Sequence, residues 1–323
     1  MNKHSFREFT NRNNWIFALI GSIAMWLAIG IFASNLNFES LIVNMFSAAF
    51  LSIAALGQML VITTGRGAID LSIPGMITLA AYLNVTYIAA NEAMVIPGVL
   101  LIAAVGLLVG FVNSLFVVYL KIPPMIATMA MSYILSTISL LFNAAMGLEQ
   151  LRLSQKLISI ARGRIFGIYY VIFIAIALGA LINYILKRTT YGRSLAAIGQ
   201  NYAAAYFAGV KVRRVEIISY MFCSLLAALA GLLISLRVGG AFLGMGDPYM
   251  LETVGGVVIG GTLISGGKPS AIGALWGCLF LTLVVTAMQI ARFDIGVQNI
   301  VKGVLIVLVI IIGTESLKKA DKA

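Results

Sequence analysis

Apolar runs recur along the chain with short polar breaks between them. They fall at 15–33, 42–63, 72–90, 95–119, 124–145, 166–186, 215–236, 252–264, 270–291 and 296–313. Most are roughly 17 to 25 residues long, enough to cross a hydrocarbon core about 30 Å thick. The eighth is short and glycine-laden, and the second and third are parted only by a polar, glycine-rich break. The pattern predicts an all-α, polytopic integral membrane protein of about ten transmembrane helices, some of them interrupted. It divides the chain into an N-terminal tail (1–14), a transmembrane body (15–313) with one long polar loop (187–214), and a C-terminal tail (314–323).

Composition removes the soluble alternative. Of 323 residues, 61% are hydrophobic and 10% charged, and mean hydropathy is +1.03. Soluble domains carry about a quarter charged residues, so charge this sparse needs lipid as solvent for much of the exterior. In a soluble chain the net charge of +11 would suggest nucleic acid. Here the basic residues cluster between apolar runs and read as membrane topology, with no nucleic-acid partner. Lys3, Arg7 and Arg12 precede the first run. Lys187, Arg188, Arg193, Lys211, Arg213 and Arg214 fill the longest loop, and Lys318, Lys319 and Lys322 end the chain. With ten spans all three groups lie on one side, so both termini are expected in the cytoplasm. The first run is long enough to span, and no small-residue cleavage site follows it, so it reads as a retained helix. Cys223 and Cys278 sit inside apolar runs and read as small core residues rather than a disulfide.

The loop at 146–165 carries Arg152, Lys156, Arg162 and Arg164 yet falls outside. Leu153, Leu157, Ile160 and Ala161 recur there at helical spacing, which predicts an amphipathic helix. It is either a plain interfacial helix or a docking surface for an acidic outside partner.

Three segments carry candidate chemistry. In Thr64–Gly75, three glycines, a proline and Asp70 interrupt a hydrophobic hairpin. Irregular backbone at membrane depth survives only when packed in protein or lining a wet cavity. An ionisable residue there is a functional candidate, and Arg66 is its nearest possible partner. The plainer reading has Asp70 capping the third helix through the N–H of Ser72 or Ile73. The second segment is the loop from Lys187 to Glu216. Its stretch from Ala203 to Ala208 favours helix, with Gly209 as a stop. A short helix held out from the membrane suits docking into a cytoplasmic partner, against the plainer reading of a solvated connector. The third runs from Gly255 through Thr262 to Ser265-Gly266-Gly267-Lys268-Pro269-Ser270. Its paired glycines, like Gly106-xxx-Gly110 and Gly273-xxx-Gly277, suit close helix packing in lipid. The spacing is not that of a phosphate loop. Val61–Gly65 and Val258–Thr262 each lead into a polar break, a faint internal repeat of the kind that marks a translocation site. No catalytic or metal site is expected, since the sole histidine, His4, lies in the N-terminal tail.

On these residues the chain resembles, along nearly its whole length, the permease subunits of bacterial ABC importers for ribose and related monosaccharides. Those permeases read T-G-G-I-D-L-S-V-G where this chain has Thr64 to Gly75. Their Lys-x-Pro segment matches Lys121 to Thr128. Their T-x-x-G-R-x-x-x-A-I-G-x-N loop matches Thr189, Gly192, Arg193, Ala197, Ile198, Gly199 and Asn201, continuing through Ala204 and Ala205 to Gly209. V-V-I-G-G-T-x-x-S-G-G matches Val257 to Gly267, and Q-x-x-I-K-G matches Gln298 to Gly303. The departure is Arg66 and Ala68 in the first motif, where an added arginine would alter which substrate passes.

The resemblance implies an inner-membrane subunit that pairs with a second permease copy or homologue. It implies cytoplasmic ABC ATPase subunits, which hold ATP-Mg, and an extracytoplasmic substrate-binding protein, with no cofactor bound by this chain. Gly192, Arg193, Ala197, Gly199, Asn201, Ala204, Ala205 and Gly209 would couple to the ATPase as one loop helix. Arg66, Asp70, Ser72, Thr128, Thr262 and Ser265 would be pathway or gate candidates. The rival is a carrier driven by an ion gradient with Asp70 as its coupling carboxylate.

Overall fold

The structure is a computed structural model that describes residues 15–32, 37–89, 91–145 and 153–320, with side chains to 308. The N-terminal tail, Arg152, and the side chains of Lys318, Lys319 and Lys322 therefore lie outside the described residues. The apolar runs are helical over most of their described parts, except that the sixth opens in a hairpin at 166–169 and the eighth ends in turns at 260–264: α1 (Trp15–Phe32), α2 (Phe38–Thr63), α3 (Ile73–Leu83), α4 (Val95–Ser114) and α5 (Pro124–Ala145) form the first half. Single π turns, Asn84–Ile88 and Leu115–Tyr119, extend α3 and α4. Next come α6 (Gln155–Arg162), a hairpin of β1 (Arg164–Ile165) and β2 (Ile168–Tyr169), and α7 (Tyr170–Arg188). The long loop forms α8 (Thr190–Gln200) and α9 (Tyr202–Phe207). The last helices are α10 (Val212–Val238), α11 (Tyr249–Ile259), α12 (Ala271–Ile290) and α13 (Ile295–Ala320). Six are long and apolar enough to cross a membrane (α2, α4 with its flanking turns, α5, α7, α10 and α12), and shorter apolar helices accompany them. The chain is thus an all-α polytopic membrane protein.

α2 is the hub. It is buried along almost its whole length and packs against α7, α10, α11 and α12. Asn37 caps its start by accepting the Glu39 N–H at 3.0 Å. In lipid, helices gain little from hiding apolar surface, so close backbone approach must do the work. The small-residue spacings supply it. Gly106 and Gly110 set α4 directly on the backbone of α10 at Ser224, Leu225, Tyr220 and Met221. Gly256 and Gly260 of α11 mesh with Gly277 and Gly273 of α12 in the same way.

The amphipathic helix forms as α6, with Leu153, Leu157 and Ala161 buried. Ile160 is a correction to the predicted stripe: it lies at the stripe's edge and stays exposed. α6 also finishes α10. The Arg162 guanidinium donates to the carbonyl oxygens of Leu236 (3.1 Å) and Arg237 (2.7 Å), two of the acceptors a helix end leaves open.

Past α10 the chain turns back inward. Asn84 Nδ2 donates to Ser235 Oγ at 2.8 Å, which sets the end of α10 level with the end of α3. Gly246 N–H then donates to Thr78 Oγ1 at 3.0 Å, in the first turns of α3. Residues 240–248 therefore descend roughly 10 Å along α3 without helical structure before α11 begins. The eighth apolar run is a half-helix fed by this descending segment, and its helix starts earlier than the run predicts.

A Cβ at position 110 would collide with the α10 backbone, whereas position 303 has open space around it. Gly110→Val is expected to abolish the folded monodisperse protein or lower its thermal midpoint sharply. Gly303→Ala, in a helix interior, is expected to raise the midpoint slightly, by about 1 kcal/mol of helix propensity. Thermal unfolding of the purified protein in detergent checks both.

Candidate functional site

The two polar breaks, far apart in sequence, meet at one end of the bundle, and α8 meets them there. Thr63, the last residue of α2, directs its carbonyl at Gly267, whose N–H donates to it at 3.0 Å. Gly199, near the end of α8, packs on the same pair: a Cβ there would collide with the Thr63 carbonyl and the Gly267 nitrogen. Gly65 and Gly266 face each other across the junction with φ of +79° and +93°, conformations that favour glycine. Gln200 Nε2 adds a bond to the Gly267 carbonyl at 3.3 Å. Backbone touches backbone here, so any displacement of α8 is carried directly into both breaks.

α8 is held by its own chemistry. Thr189 caps it by accepting the Gly192 N–H at 3.3 Å. Tyr191 shares a 2.8 Å hydrogen bond with Ser219 of α10. Burial pushes the Tyr191 hydroxyl up to about 12, so it stays neutral in that bond. The coupling segment is two helices rather than one. Asn201 is extended and caps α9 through the Ala204 N–H at 3.0 Å, which breaks the helical path after Gln200. The predicted coupling residues separate into two groups. Gly192 and Ala205 are buried and Ala197 and Gly199 partly so, while Arg193, Asn201, Ala204 and Gly209 are exposed. Sequence reasoning missed Tyr206 and Phe207, which close α9 at 63% and 85% exposure. The available signal was an aromatic pair in a loop with no apolar periodicity of its own.

The predicted pathway residues also separate. Asp70 is buried, and its Oδ1 accepts from the N–H (2.8 Å) and hydroxyl (2.5 Å) of Ser72. Asn113 Nδ2 of α4 donates to the same Ser72 hydroxyl at 2.8 Å. Thr128 of α5 accepts the Leu71 N–H at 2.9 Å, and Gln58 of α2 accepts the Asp70 N–H at 3.3 Å. The last three bonds pin the first break between α2, α4 and α5. Thr262 is buried and accepts the Ser270 N–H at 3.2 Å, closing the second break. Ser265 is exposed, with its carbonyl against Gly65.

Arg66 does not pair with Asp70, which corrects the expected partner. Its guanidinium lies 4.6 Å from the centre of the Tyr202 ring of α9, because a φ of +59° turns the side chain out of the bundle. It lines a cavity of about 1260 Å³ between the first break, the α4–α5 corner and the start of α10. Lys121, Lys211, Arg213 and Arg214 share that cavity with a single acid, Glu216. Lys121 is also left-handed, at φ +56°. Such strain in non-glycine residues costs of order 1–3 kcal/mol and concentrates at working sites.

An all-α membrane bundle with two interrupted segments, a projecting helical pair fused to both, and a polar cavity beneath the first is the layout of a transport subunit. Residues 40–313 match the family described as branched-chain amino acid transport system / permease component, and the chain belongs to that family. A galactose/methyl galactoside import permease of Haemophilus influenzae is 30% identical over 90% of this chain and 89% of its own length. An autoinducer 2 import permease of Escherichia coli is 27% identical over 94% of this chain and 88% of its own. A probable ABC transporter permease of Escherichia coli is 34% identical, over 50% of this chain and 48% of its own length. No solved structure matches the chain. The protein is the membrane permease of an ABC importer, a transport subunit and not an enzyme, with the ATPase in a separate subunit.

Asp70→Asn retains one carbonyl acceptor for Ser72, whereas Asp70→Ala removes it and leaves the Ser72 N–H unpaired in the interior. Asp70→Ala is expected to cost about 1–3 kcal/mol more than Asp70→Asn. Thr128→Val is expected to fall in the same range. Detergent-resistance midpoints of the three variants test the order.

Proposed function

We propose that the chain forms half of the pathway by which a monosaccharide or similar small polar solute enters the cytoplasm. Relatives named for galactose and autoinducer 2 import support that class of cargo. In this reading the chain crosses the bacterial inner membrane ten times with both termini cytoplasmic. The membrane body is 15–313, flanked by tails at 1–14 and 314–323, and it pairs with a second copy or a homologue. ATP-Mg is held by cytoplasmic ABC ATPases, and an outside binding protein delivers the cargo. The hairpin tip at Phe166, 96% exposed, is offered to that protein.

The single observation behind the coupling role is the glycine junction. α9 presents Tyr206 and Phe207 to an ATPase groove, a helix-in-groove contact with aromatic anchors. Closure of the ATPases displaces α8 and α9. Gly199 passes the displacement to Thr63 and Gly267, and thence to both breaks, in a rigid-body switch. Gly192, Arg193, Ala197, Asn201, Ala204, Ala205 and Gly209 shape that lever. Arg66 faces the exit cavity and meets the cargo there. Asp70, Ser72, Thr128, Thr262 and Ser265 hold the breaks in register. Asp70 Oδ1 is committed to Ser72, and relatives named as ABC or import permeases favour the importer over the gradient-driven alternative.

The test is reconstitution in liposomes with the candidate ATPase and binding protein, reading ATP hydrolysis as each sugar is added. Tyr191→Phe, which frees α8 from Ser219 without adding bulk at the glycine junction, is expected to leave ATPase bound but to reduce stimulation by cargo-loaded binding protein. Phe207→Ala is expected to weaken ATPase association by roughly tenfold or more while the thermal midpoint of the bundle is unchanged. If no ATPase co-purifies and uptake follows an imposed proton or sodium gradient, the coupling assignment fails.

A further inference from the structure

A second cavity, of about 330 Å³, lies between α4, α7 and α10 and shares no lining residue with the polar cavity. Its walls are aliphatic and aromatic carbon, with Ile102, Ile182, Leu225 and Leu229 among them. The one polar group in its lining, the Tyr191 hydroxyl, is already bonded to Ser219. The cavity is a slot rather than a sphere. It follows α10 from Phe222 to Leu232, roughly 15 Å of helix.

The fold keeps this slot open. Gly106 and Gly110 lock α4 onto α10, so neither helix can shift into it. α7 takes its packing from α2 and α12, with Gly179 against Leu275, and stands off from the α4–α10 pair. An apolar slot with nothing in it forfeits dispersion contacts along its whole lining.

One end of the slot is marked by charge. Ile185 and Tyr191 line that end, and the chain between them contains Lys187 and Arg188 in the last turn of α7. Arg193 follows on α8. All three are exposed, and none is in an ion pair or over an aromatic ring among the described residues. No Asp or Glu occurs between Glu149 and Glu216.

We infer that this slot is a binding site for one acyl chain of an anionic phospholipid, whose phosphate rests on Arg188, with Lys187 and Arg193 adding positive potential at the same end. The chain fills the carbon-lined slot, and the cations at its mouth select a net negative headgroup over a zwitterionic one, at about 1 kcal/mol per cation near the surface. The site abuts α8, so an ordered lipid there stiffens the lever at its root. The inference rests on the proposed topology only in placing the lipid in the cytoplasmic leaflet.

The experiment uses the full-length chain in lipid nanodiscs, without ATPase or binding protein, so its outcome is separate from that of the transport assay. Leu181→Trp puts a fluorophore on an exposed wall of the slot, and the parent chain supplies the background from Trp15, Trp26 and Trp276. Phosphatidylglycerol brominated in its acyl chains is expected to quench the new fluorophore at a lipid fraction roughly tenfold lower than brominated phosphatidylcholine. Adding Lys187→Gln and Arg188→Gln is expected to erase that preference while leaving the thermal midpoint in phosphatidylcholine unchanged. Equal quenching by the two lipids, or a preference that survives neutralisation, overturns the site. So does efficient disulfide dimerisation of Leu181→Cys, which would show that a second copy covers the slot.

Discussion

The contact of Gly199 with the Thr63 carbonyl and the Gly267 nitrogen is the constraint on which the rest of the molecule turns. Three segments from distant parts of the sequence meet there with no side chain between them. Side-chain contacts yield by rotamer change, but a backbone seated on a backbone has no such freedom. The position therefore excludes every residue larger than glycine. The same exclusion makes it a good transmitter, since a push on α8 has nowhere to dissipate before it reaches α2 and the second break.

That junction can exist only because the breaks beside it are satisfied internally. A membrane interior offers no water to an open N–H or carbonyl, so each interrupted helix needs its own replacement partners. The first break takes them from its own Asp70, from Gln58 of α2 and from Thr128 of α5, while Asn113 of α4 holds the Ser72 hydroxyl. The descending segment before α11 takes one from Thr78. Charge is handled separately. Lys302 and Glu252, both largely buried, pair at 2.9 Å between α13 and α11. Arg66 and Lys121 are instead turned outward by left-handed backbone into the cavity. Cations face the aqueous chamber, and hydroxyls and amides face the breaks.

Much of this was legible in the sequence, because lipid imposes simple rules. The apolar runs located the helices to within a few residues, and the glycine spacings marked the α4–α10 and α11–α12 contacts. Asp70 next to Ser72 read as a local cap, which is how it acts. What escaped had no local signature. Arg66 lies four residues from Asp70, but a single positive φ decides which way it faces. Ile160 lies at the edge of the apolar stripe, and the pattern alone did not show that it would stay exposed. The likeness of Val61–Gly65 to Val258–Thr262 was visible as a faint repeat. Its meaning was not, because only the folded chain brings the two ends onto one glycine of a third segment.

The division within the coupling segment follows from the same physics. A lever must be rigid where it joins the load and adaptable where it meets its driver. α8 is rigid because it is capped by Thr189, tied to α10 by Tyr191 and seated on bare backbone at Gly199. α9 is six residues long, separated from α8 by an extended Asn201, and carries its aromatic pair on the outside. A helix so short is marginal by itself, so α9 gains order from whatever covers Tyr206 and Phe207. The cation–π contact of Arg66 with Tyr202 links α9 back to the cavity. Under the proposed coupling role, the element that would take up the ATPase's motion also touches Arg66, so coupling and cargo selection would share one structural address in this chain.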